Sequence, residues 1–517
     1  MIGAEALVRS LVASGVDVVF ANPGTSEMHF VATLDAVPEM RGVLALFEGA
    51  ATGAADGYAR MREVPAAVLL HLGPGLGNGL ANLHNARRAH APVVAIVGDH
   101  ATHHKQYDAP LESDIDTVAR SVSTWIRRSV RAEEAGADAA AAVAAAYGPP
   151  GRIATLILPA DVSWSEGGST SPPAQRTPRA MVRVETLEAT AAALRSHERA
   201  ALLLGGTALR ERAIQAACRI AQATGAEVLA ETFPARAERG GGIPAVQRLA
   251  YLAEMAAGQL DGLRHLILVD TKSPVSFFAY PGKPSDLVPD GCEVTMLAGG
   301  GDDAVAALES LAVEVGAEPH PTITDAARPE KPSGELSAES IARAIGALLP
   351  EGAIVSDEAN TSGTFLPTFT AGAARHDWLS LTGGSIGQGL PVALGAAVAC
   401  PDRPVLALEA DGSALYTLQS LWTMAREQLD VTTVIFSNRR YAILRMELAR
   451  VGATASGARA LEMLDISPPE IDFVALARGF GVPATRPASA DGFAADLVRA
   501  FAEPGPHLIE AVIPSLF

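Results

Sequence analysis

Short apolar runs recur along the chain, separated by stretches with helical spacing. In the first third, Asp17–Ala21 (DVVFA), Ala66–His71 (AAVLLH), Pro92–Val97 (PVVAIV) and Ala154–Leu158 (ATLIL) are expected as buried strands. Ala201–Leu204 (ALLL), Glu227–Ala230 (EVLA) and Leu266–Asp270 (LILVD) follow in the middle. Ala353–Ser356 (AIVS), Val405–Glu409 (VLALE), Thr433–Ser437 (TVIFS) and Leu508–Ile513 (LIEAVI) complete the set. Runs that are apolar throughout, rather than alternating, mark strands covered on both faces, and the helical stretches supply the crossovers that parallel strands need.

Two stretches break this rhythm. Ser165–Arg179 (SEGGSTSPPAQRTPR) and Gly316–Ser333 (GAEPHPTITDAARPEKPS) are rich in Pro, Gly, Ser and Thr and are expected as linkers. They leave segments 1–164, 180–315 and 334–517, each of domain size. The length of 517 residues agrees with this division. The predicted fold is α/β, with three doubly wound parallel-sheet domains.

Composition narrows the function classes. Hydrophobic residues make up 49% of the chain and aromatics only 5%, which fits an Ala-, Val- and Leu-rich α/β core. The net charge of -18 argues against a nucleic-acid or anionic-membrane partner. Lys105, Lys272, Lys283 and Lys331 are the only lysines, and none lies in a G-x-x-x-x-G-K-[ST] run, so a P-loop nucleotidase is disfavoured. Cys218, Cys292 and Cys400 are isolated thiols, consistent with a reducing compartment and with neither a disulfide framework nor a zinc site. No signal peptide or membrane-length apolar run is visible, so a soluble, cytoplasmic protein is expected.

Doubly wound sheets bind ligands beyond the carboxyl ends of their strands. The run Val405–Glu409 delivers Ala410-Asp411-Gly412-Ser413 to such an end, and Thr433–Ser437 delivers Asn438. Asp411 and Asn438 are 27 residues apart, one helical crossover, which places them at neighbouring strand ends. A carboxylate, an amide oxygen and a nearby backbone carbonyl, assigned to Arg440, are hard ligands suited to Mg²⁺, to be completed by phosphate oxygens and water. The N–H groups of Gly412 and Ser413 at the helix start could bind the same phosphates. Either residue alone is an ordinary helix cap or turn; the pair at this spacing favours the metal.

The Asp411-Gly412…Asn438 pattern resembles the G-D-G…N-N motif of thiamine diphosphate-dependent enzymes. Glu48-Gly49-Ala50-Ala51, continuing to Asp56-Gly57-Tyr58-Ala59-Arg60, looks like that family's catalytic-glutamate helix. Asn22-Pro23-Gly24-Thr25 and Gly73-Pro74-Gly75-Leu76-Gly77-Asn78 match two loops of its first domain, and Gly387-Gln388-Gly389-Leu390-Pro391 matches the segment before the metal motif. Benzoylformate decarboxylases and acetolactate synthases are the most similar subclasses. Two departures occur: Ala410 stands where Gly is usual, and Ser437 where the first Asn is usual. Gly is needed there only if φ is positive, and Asn438 is retained.

The resemblance implies thiamine diphosphate and Mg²⁺ as cofactors and a non-oxidative decarboxylation of a 2-oxoacid. Aldehyde release, or carboligation to a second carbonyl from an aldehyde or ketoacid acceptor, would follow. It makes 1–164 the pyrimidine-binding domain, 180–315 a Rossmann-like central domain and 334–517 the diphosphate- and Mg²⁺-binding domain. Glu48 would hydrogen-bond the aminopyrimidine and promote loss of the thiazolium proton. Gly24, Asn78, Ile386, Gly387, Gly412 and Ser413 fall at cofactor-contact positions, and Asn360 and Thr361 at a second diphosphate contact. Core packing competes as the account of Ile386, and a turn as that of Asn360 and Thr361.

Thr25 aligns with a serine that holds the substrate carboxylate, and His71 with a proton-shuttling histidine of benzoylformate decarboxylases. His100, His103 and His104 look like a metal cluster, but no convincing ligand set is completed around them, although Asp99 and Asp108 are nearby; the resemblance places their loop where relatives carry substrate-facing residues, which implies a proton-relay or pocket role. Phe277-Phe278-Ala279-Tyr280 stands where those decarboxylases place a second histidine, and Asp108–Glu112 lacks the aromatic and Gln residues of acetolactate synthases. The chain therefore fits neither subclass cleanly.

Some relatives bind FAD or ADP in the central domain. Gly205-Gly206 and Gly299-Gly300-Gly301 follow apolar runs but form no G-x-G-x-x-G, so the sequence does not support FAD. The missing fingerprint also weighs against a nicotinamide or flavin oxidoreductase. Retention of Glu48, Asp411 and Asn438 weighs against a catalytically silent assembly or regulatory subunit. The family's cofactor lies between subunits, which implies a homodimer at minimum and a homotetramer as the expected form.

Overall fold

The structure, a computed structural model, describes residues 1–321, 323, 327–452 and 457–516. Residues 322 and 324–326 of the expected second linker lie outside the described residues.

Strands β1 (Val18–Ala21), β2 (Arg41–Leu44), β3 (Ala66–Leu70), β4 (Val93–Asp99), β5 (Trp125–Arg128) and β6 (Ile153–Pro159) form the first sheet. It is wholly parallel, in the order β2-β1-β3-β4-β6-β5. In the middle of the chain, β7 (Ala200–Leu204), β8 (Glu227–Ala230), β9 (Ala237–Arg239), β10 (Gln247–Arg248), β11 (His265–Val269) and β12 (Glu293–Ala298) follow. All except β9 join one parallel sheet, ordered β10-β8-β7-β11-β12. The last part contains β13 (Ala353–Glu358), β14 (His376–Ser380), β15 (Val405–Ala410), β16 (Val431–Ser437), β17 (Ala484–Thr485) and β18 (His507–Val512). This sheet runs β17-β18-β16-β15-β13-β14-β9.

The α/β architecture with three parallel sheets is as expected, with one local exception. β9 lies in the middle of the chain, yet it pairs antiparallel with β14 at the edge of the third sheet. The central strands β3, β4, β6, β7 and β16 are buried along their whole length, which accounts for their predominantly apolar sequences.

The first and third parts are joined by two crossing helices, Glu48–Arg62 and Gly389–Ala399. Small residues permit this contact. A Cβ at Gly57 would lie 2.1 Å from the Val392 carbonyl oxygen, and one at Gly395 would lie 1.8 Å from that of Ala54. Both helices are buried over almost their whole length. Arg60, buried and paired with Asp56 at 2.6 Å, also donates to the carbonyl of Ser380 at 2.8 Å and to Gln388 Oε1 at 3.2 Å. The guanidinium thus crosses from one sheet's layer to the other's, and its five donors suit it to that role. The effect is to fix the first and third parts of the chain relative to one another.

Candidate active site

The first sheet contributes one group of polar residues. Glu48 is the first residue of its helix and is buried, 7% exposed, where the positive end of the helix favours a carboxylate. Asn78 Nδ2 donates to Glu48 Oε2 at 3.0 Å. Gly75 lies beside Glu48 Oε1, 3.3 Å from where its Cβ would stand, so the second carboxylate oxygen faces a glycine rather than a bulky side chain.

His71 follows β3 directly and precedes the helix Leu72–Arg88. The stretch Gly73–Asn78, taken from sequence as a loop, is the first part of this helix. Pro74 is tolerated there because a first-turn N–H has no helical partner to lose. His71 Nδ1 lies 2.8 Å from Glu27 Oε2, and the same oxygen accepts the Gly24 N–H at 2.8 Å. Ser26 Oγ donates to the other Glu27 oxygen. The His71 ring sits where a Cβ on Gly24 would be, 2.2 Å from Nδ1, so only glycine permits this approach. A carboxylate on Nδ1 leaves Nε2 as the nitrogen available for proton transfer. Glu27 was missed from sequence, because Thr25-Ser26-Glu27 looks like an ordinary helix start.

Thr25 is exposed on the adjoining short helical turn. His103 and His104 are exposed as well. His104 packs between the rings of His100 and Tyr107, at 5.5 and 5.7 Å. Among the described residues, no hydrogen bond links either histidine to His71 or Glu48.

The third sheet contributes the second group. Asp411 and Asn438 stand just beyond the paired strands β15 and β16, as expected from their spacing, and are 2% and 7% exposed. Asp411 Oδ2 accepts the Arg439 N–H at 2.5 Å and Oδ1 the Gly412 N–H at 2.9 Å. Asn438 Oδ1 accepts the Arg440 N–H at 3.0 Å, and its Nδ2 donates to Ser362 Oγ at 3.2 Å. Ala410 has φ -75°, so the absence of glycine there costs nothing. Burial pushes the Asp411 carboxyl up to about 6, although backbone N–H groups oppose the shift. Among the described residues no cationic side chain pairs with it, and the carboxylate of Asp411 and the amide oxygen of Asn438 are donor types that suit a hard divalent cation.

Asn360 Nδ2 donates to Ser413 Oγ at 2.9 Å, which joins the β13 end to the Asp411 turn, and Thr361 follows on the same turn. The loop carrying Ile386 and Gly387 is tied down by Glu358, a residue sequence reasoning passed over. Glu358 accepts the N–H groups of Gly387 at 2.8 Å and Gly389 at 2.6 Å. Burial pushes Glu358 up to about 7, and its register neighbour Glu409 rises well above the ordinary carboxylate range for the same reason. Gly387 has φ +93°, and a Cβ there would lie 2.5 Å from Tyr416 Cβ. Asn82 Nδ2 bridges the two groups, donating to the carbonyls of Gly49 at 2.8 Å and Gly387 at 3.1 Å. No hydrogen bond or ion pair among the described residues joins Glu48 or His71 to Asp411 or Asn438 within the chain.

Residues 1–119 match the family described as thiamine pyrophosphate enzyme, N-terminal TPP binding domain, and residues 363–511 match its C-terminal TPP binding domain. The chain is 62% identical, over 100% of both sequences, to a Mycobacterium tuberculosis protein with the provisional name acetolactate synthase large subunit IlvX. It is 29% identical to a benzoylformate decarboxylase of Pseudomonas aeruginosa, over 96% of each. The thiamine diphosphate-dependent 4-hydroxybenzoylformate decarboxylase of Rhodococcus jostii superposes with a TM-score of 0.87, at 25% identity and over 99% of both chains.

Proposed function

The chain belongs to the thiamine pyrophosphate enzymes of the decarboxylase and acetolactate synthase type, and on that premise we propose that it decarboxylates a 2-oxoacid and releases an aldehyde. The observation that carries this reading is the Glu27–His71 pair, a histidine fixed through Nδ1 in the same strand-end region as Glu48.

In this reading Asp411, Asn438 and the Arg440 carbonyl hold Mg²⁺. Gly412, Ser413, Asn360 and Thr361 bind the diphosphate, and Ile386 and Gly387 support the cofactor from beneath. Gly24, Asn78 and Glu48 receive its pyrimidine. Bound thiamine diphosphate supplies the sink for the electron pair left when CO₂ departs. Glu48, held at Oε2 by Asn78, is the group that would hold and move a proton at the pyrimidine end of the site. Thr25 binds the substrate carboxylate, and His71 Nε2 delivers the proton that completes the aldehyde. His103 and His104 border the entrance.

Phe277 and Phe278 meet edge to face at 4.8 Å, with Tyr251 and Phe233 against Phe277. Phe277 Cζ lies 2.6 Å from where a Cβ on Gly384 would stand, at the start of the Ile386 loop. This aromatic wall, with relatives named for benzoylformate and 4-hydroxybenzoylformate, supports a substrate with an aromatic or bulky apolar side chain. We infer a homodimer at minimum, assembled further into a homotetramer, from the resemblance to a family whose cofactor lies between subunits. A cytoplasmic location agrees with three free cysteines and, among the described residues, no helix long and apolar enough to cross a membrane.

The test is product analysis. Protein loaded with thiamine diphosphate and Mg²⁺ is supplied with pyruvate and benzoylformate-type acids. Aldehyde as the main product supports the proposal; a hydroxyketone in its place transfers the chain to the carboligases.

A further inference from the structure

The central sheet has a strand-end crevice of its own. Its order reverses at β7, with β8 on one side and β11 on the other, and such a switch point is where an open α/β sheet takes a dinucleotide or diphosphate. The loops Gly205–Thr207, Glu231–Thr232, Asp270–Lys272 and Gly299–Asp302 follow the four strands. A phosphate held there would use their backbone N–H groups and approach closely over their glycines.

Those donors are already engaged by acidic side chains. The Gly206 N–H donates to Glu231 Oε1 at 3.2 Å, and the Thr207 N–H donates to Asp270 Oδ2 at 2.8 Å. Hydroxyls reinforce both carboxylates: Thr207 Oγ1 donates to Asp270 Oδ2 at 2.7 Å, and Thr271 Oγ1 to Glu231 Oε2 at 3.0 Å. The Gly299 N–H donates to Asp302 Oδ2 at 2.8 Å. The next helix, Glu211–Thr224, has its first N–H bonded to Glu238 Oε2 at 2.7 Å.

The glycines are covered as well. Each oxygen of Glu231 lies 2.8 Å from where a Cβ on Gly205 would be, and Asp270 Oδ2 lies 2.4 Å from the corresponding point on Gly206. The space that these glycines leave is therefore filled by carboxylate. Arg179, from the linker, donates to the carbonyls of Gly300 at 3.1 Å and Asp302 at 3.2 Å. Its guanidinium lies 4.0 Å from Asp270. Pro150 of the first domain lies 3.2 Å from where a Cβ on Gly300 would be.

We propose that the nucleotide crevice of the central domain is occupied by the chain's own Glu231, Asp270 and Asp302 and closed by Arg179, so that it takes neither FAD nor an adenine nucleotide. An incoming diphosphate would have to displace three hydrogen-bonded acidic side chains from the backbone N–H groups it needs. The central domain serves as a scaffold, and the reaction needs no flavin. The proposal is independent of the substrate assigned above.

The test uses the full-length protein with thiamine diphosphate and Mg²⁺ in excess, so that the catalytic diphosphate site is already filled. Flavin released on denaturing the purified protein is measured by absorbance, and melting temperature is followed as FAD or ADP is added. The expected result is no released flavin and no shift with either nucleotide. One flavin per chain, or a saturable rise in melting temperature with FAD or ADP, would overturn the proposal.

Discussion

Glu27 and His71 come from different loops of the first sheet and meet at 2.8 Å, with the Glu27 oxygen that faces the imidazole also holding the Gly24 N–H. If His71 delivers the product proton through Nε2, Glu27 is a positioning residue that sets its tautomer. His71→Ala is expected to lower aldehyde release by ~10²–10⁴-fold, the usual contribution of a general acid. Glu27→Gln should lower kcat by a smaller factor and leave thiamine diphosphate affinity unchanged. In the double variant the two losses should be non-additive, because both act through one imidazole. Steady-state kinetics with parallel calorimetric titration of the cofactor checks all three outcomes.

Asp411 is the one charged ligand of the proposed metal site. Asp411→Ala should weaken Mg²⁺-dependent cofactor binding by more than the ~10–100-fold that loss of an outer-shell partner costs. The fold should persist, because Asp411 accepts only two backbone N–H groups at the strand ends and pairs with no charged side chain among the described residues. Calorimetry of cofactor binding alongside circular dichroism separates these effects.

The same carboxyl predicts a pH dependence. Burial raises it from 3.8 to about 6 in the metal-free protein, and it must be ionised to ligate Mg²⁺. Affinity for Mg²⁺ and the cofactor should be level above about pH 6 and fall ~10-fold per unit below it. Because the folded-state value is raised, this group costs the metal-free fold stability as pH rises from about 4 to 6. Bound Mg²⁺ should remove that cost, so the stabilisation by metal should grow across the same window. Melting curves with and without Mg²⁺ between pH 4 and 8 read it directly.

The crossing of the Glu48 and Gly389 helices depends on backbone contact. Gly395→Ala would place a Cβ 1.8 Å from the Ala54 carbonyl, and Gly57→Ala one 2.1 Å from that of Val392. Each should cost about 1–3 kcal/mol or more through forced separation of the helices. Gly258→Ala is the control: the site is exposed, helical and open, and a gain of about 0.4–1 kcal/mol is expected. Thermal or urea denaturation distinguishes the signs.

The parallel core was legible because strands such as β3 and β7 are covered on both faces and so are apolar throughout. β14 (HDWLS) was not, although it is fully buried. Two of its polar side chains find distant partners, Asp377 in Arg236 at 2.5 Å and Arg403 at 2.6 Å, and Trp378 in Asp357 at 3.2 Å, which a local pattern does not show. β2 was hidden because Arg41 and Gly42 at its start are exposed at a sheet edge. The placement of β9 in another segment's sheet is a tertiary choice that no local pattern encodes.

The site shows the same division. The Asp411–Asn438 relationship follows from one crossover and was readable as spacing. Glu358 acts through backbone amides brought from elsewhere in the chain, and Glu27 through a ring brought from elsewhere; its local bond to the Gly24 N–H is a helix-start pattern that does not announce the histidine.

The central claim is cofactor-dependent decarboxylation started by Glu48. Its most direct test is CO₂ release from a panel of 2-oxoacids, with wild type and Glu48→Gln both loaded with thiamine diphosphate and Mg²⁺. Wild type should release CO₂ from at least one acid, and the variant should bind the cofactor yet lose at least ~100-fold of that rate. No release by wild type from any 2-oxoacid, or equal rates for the two proteins, would contradict the account.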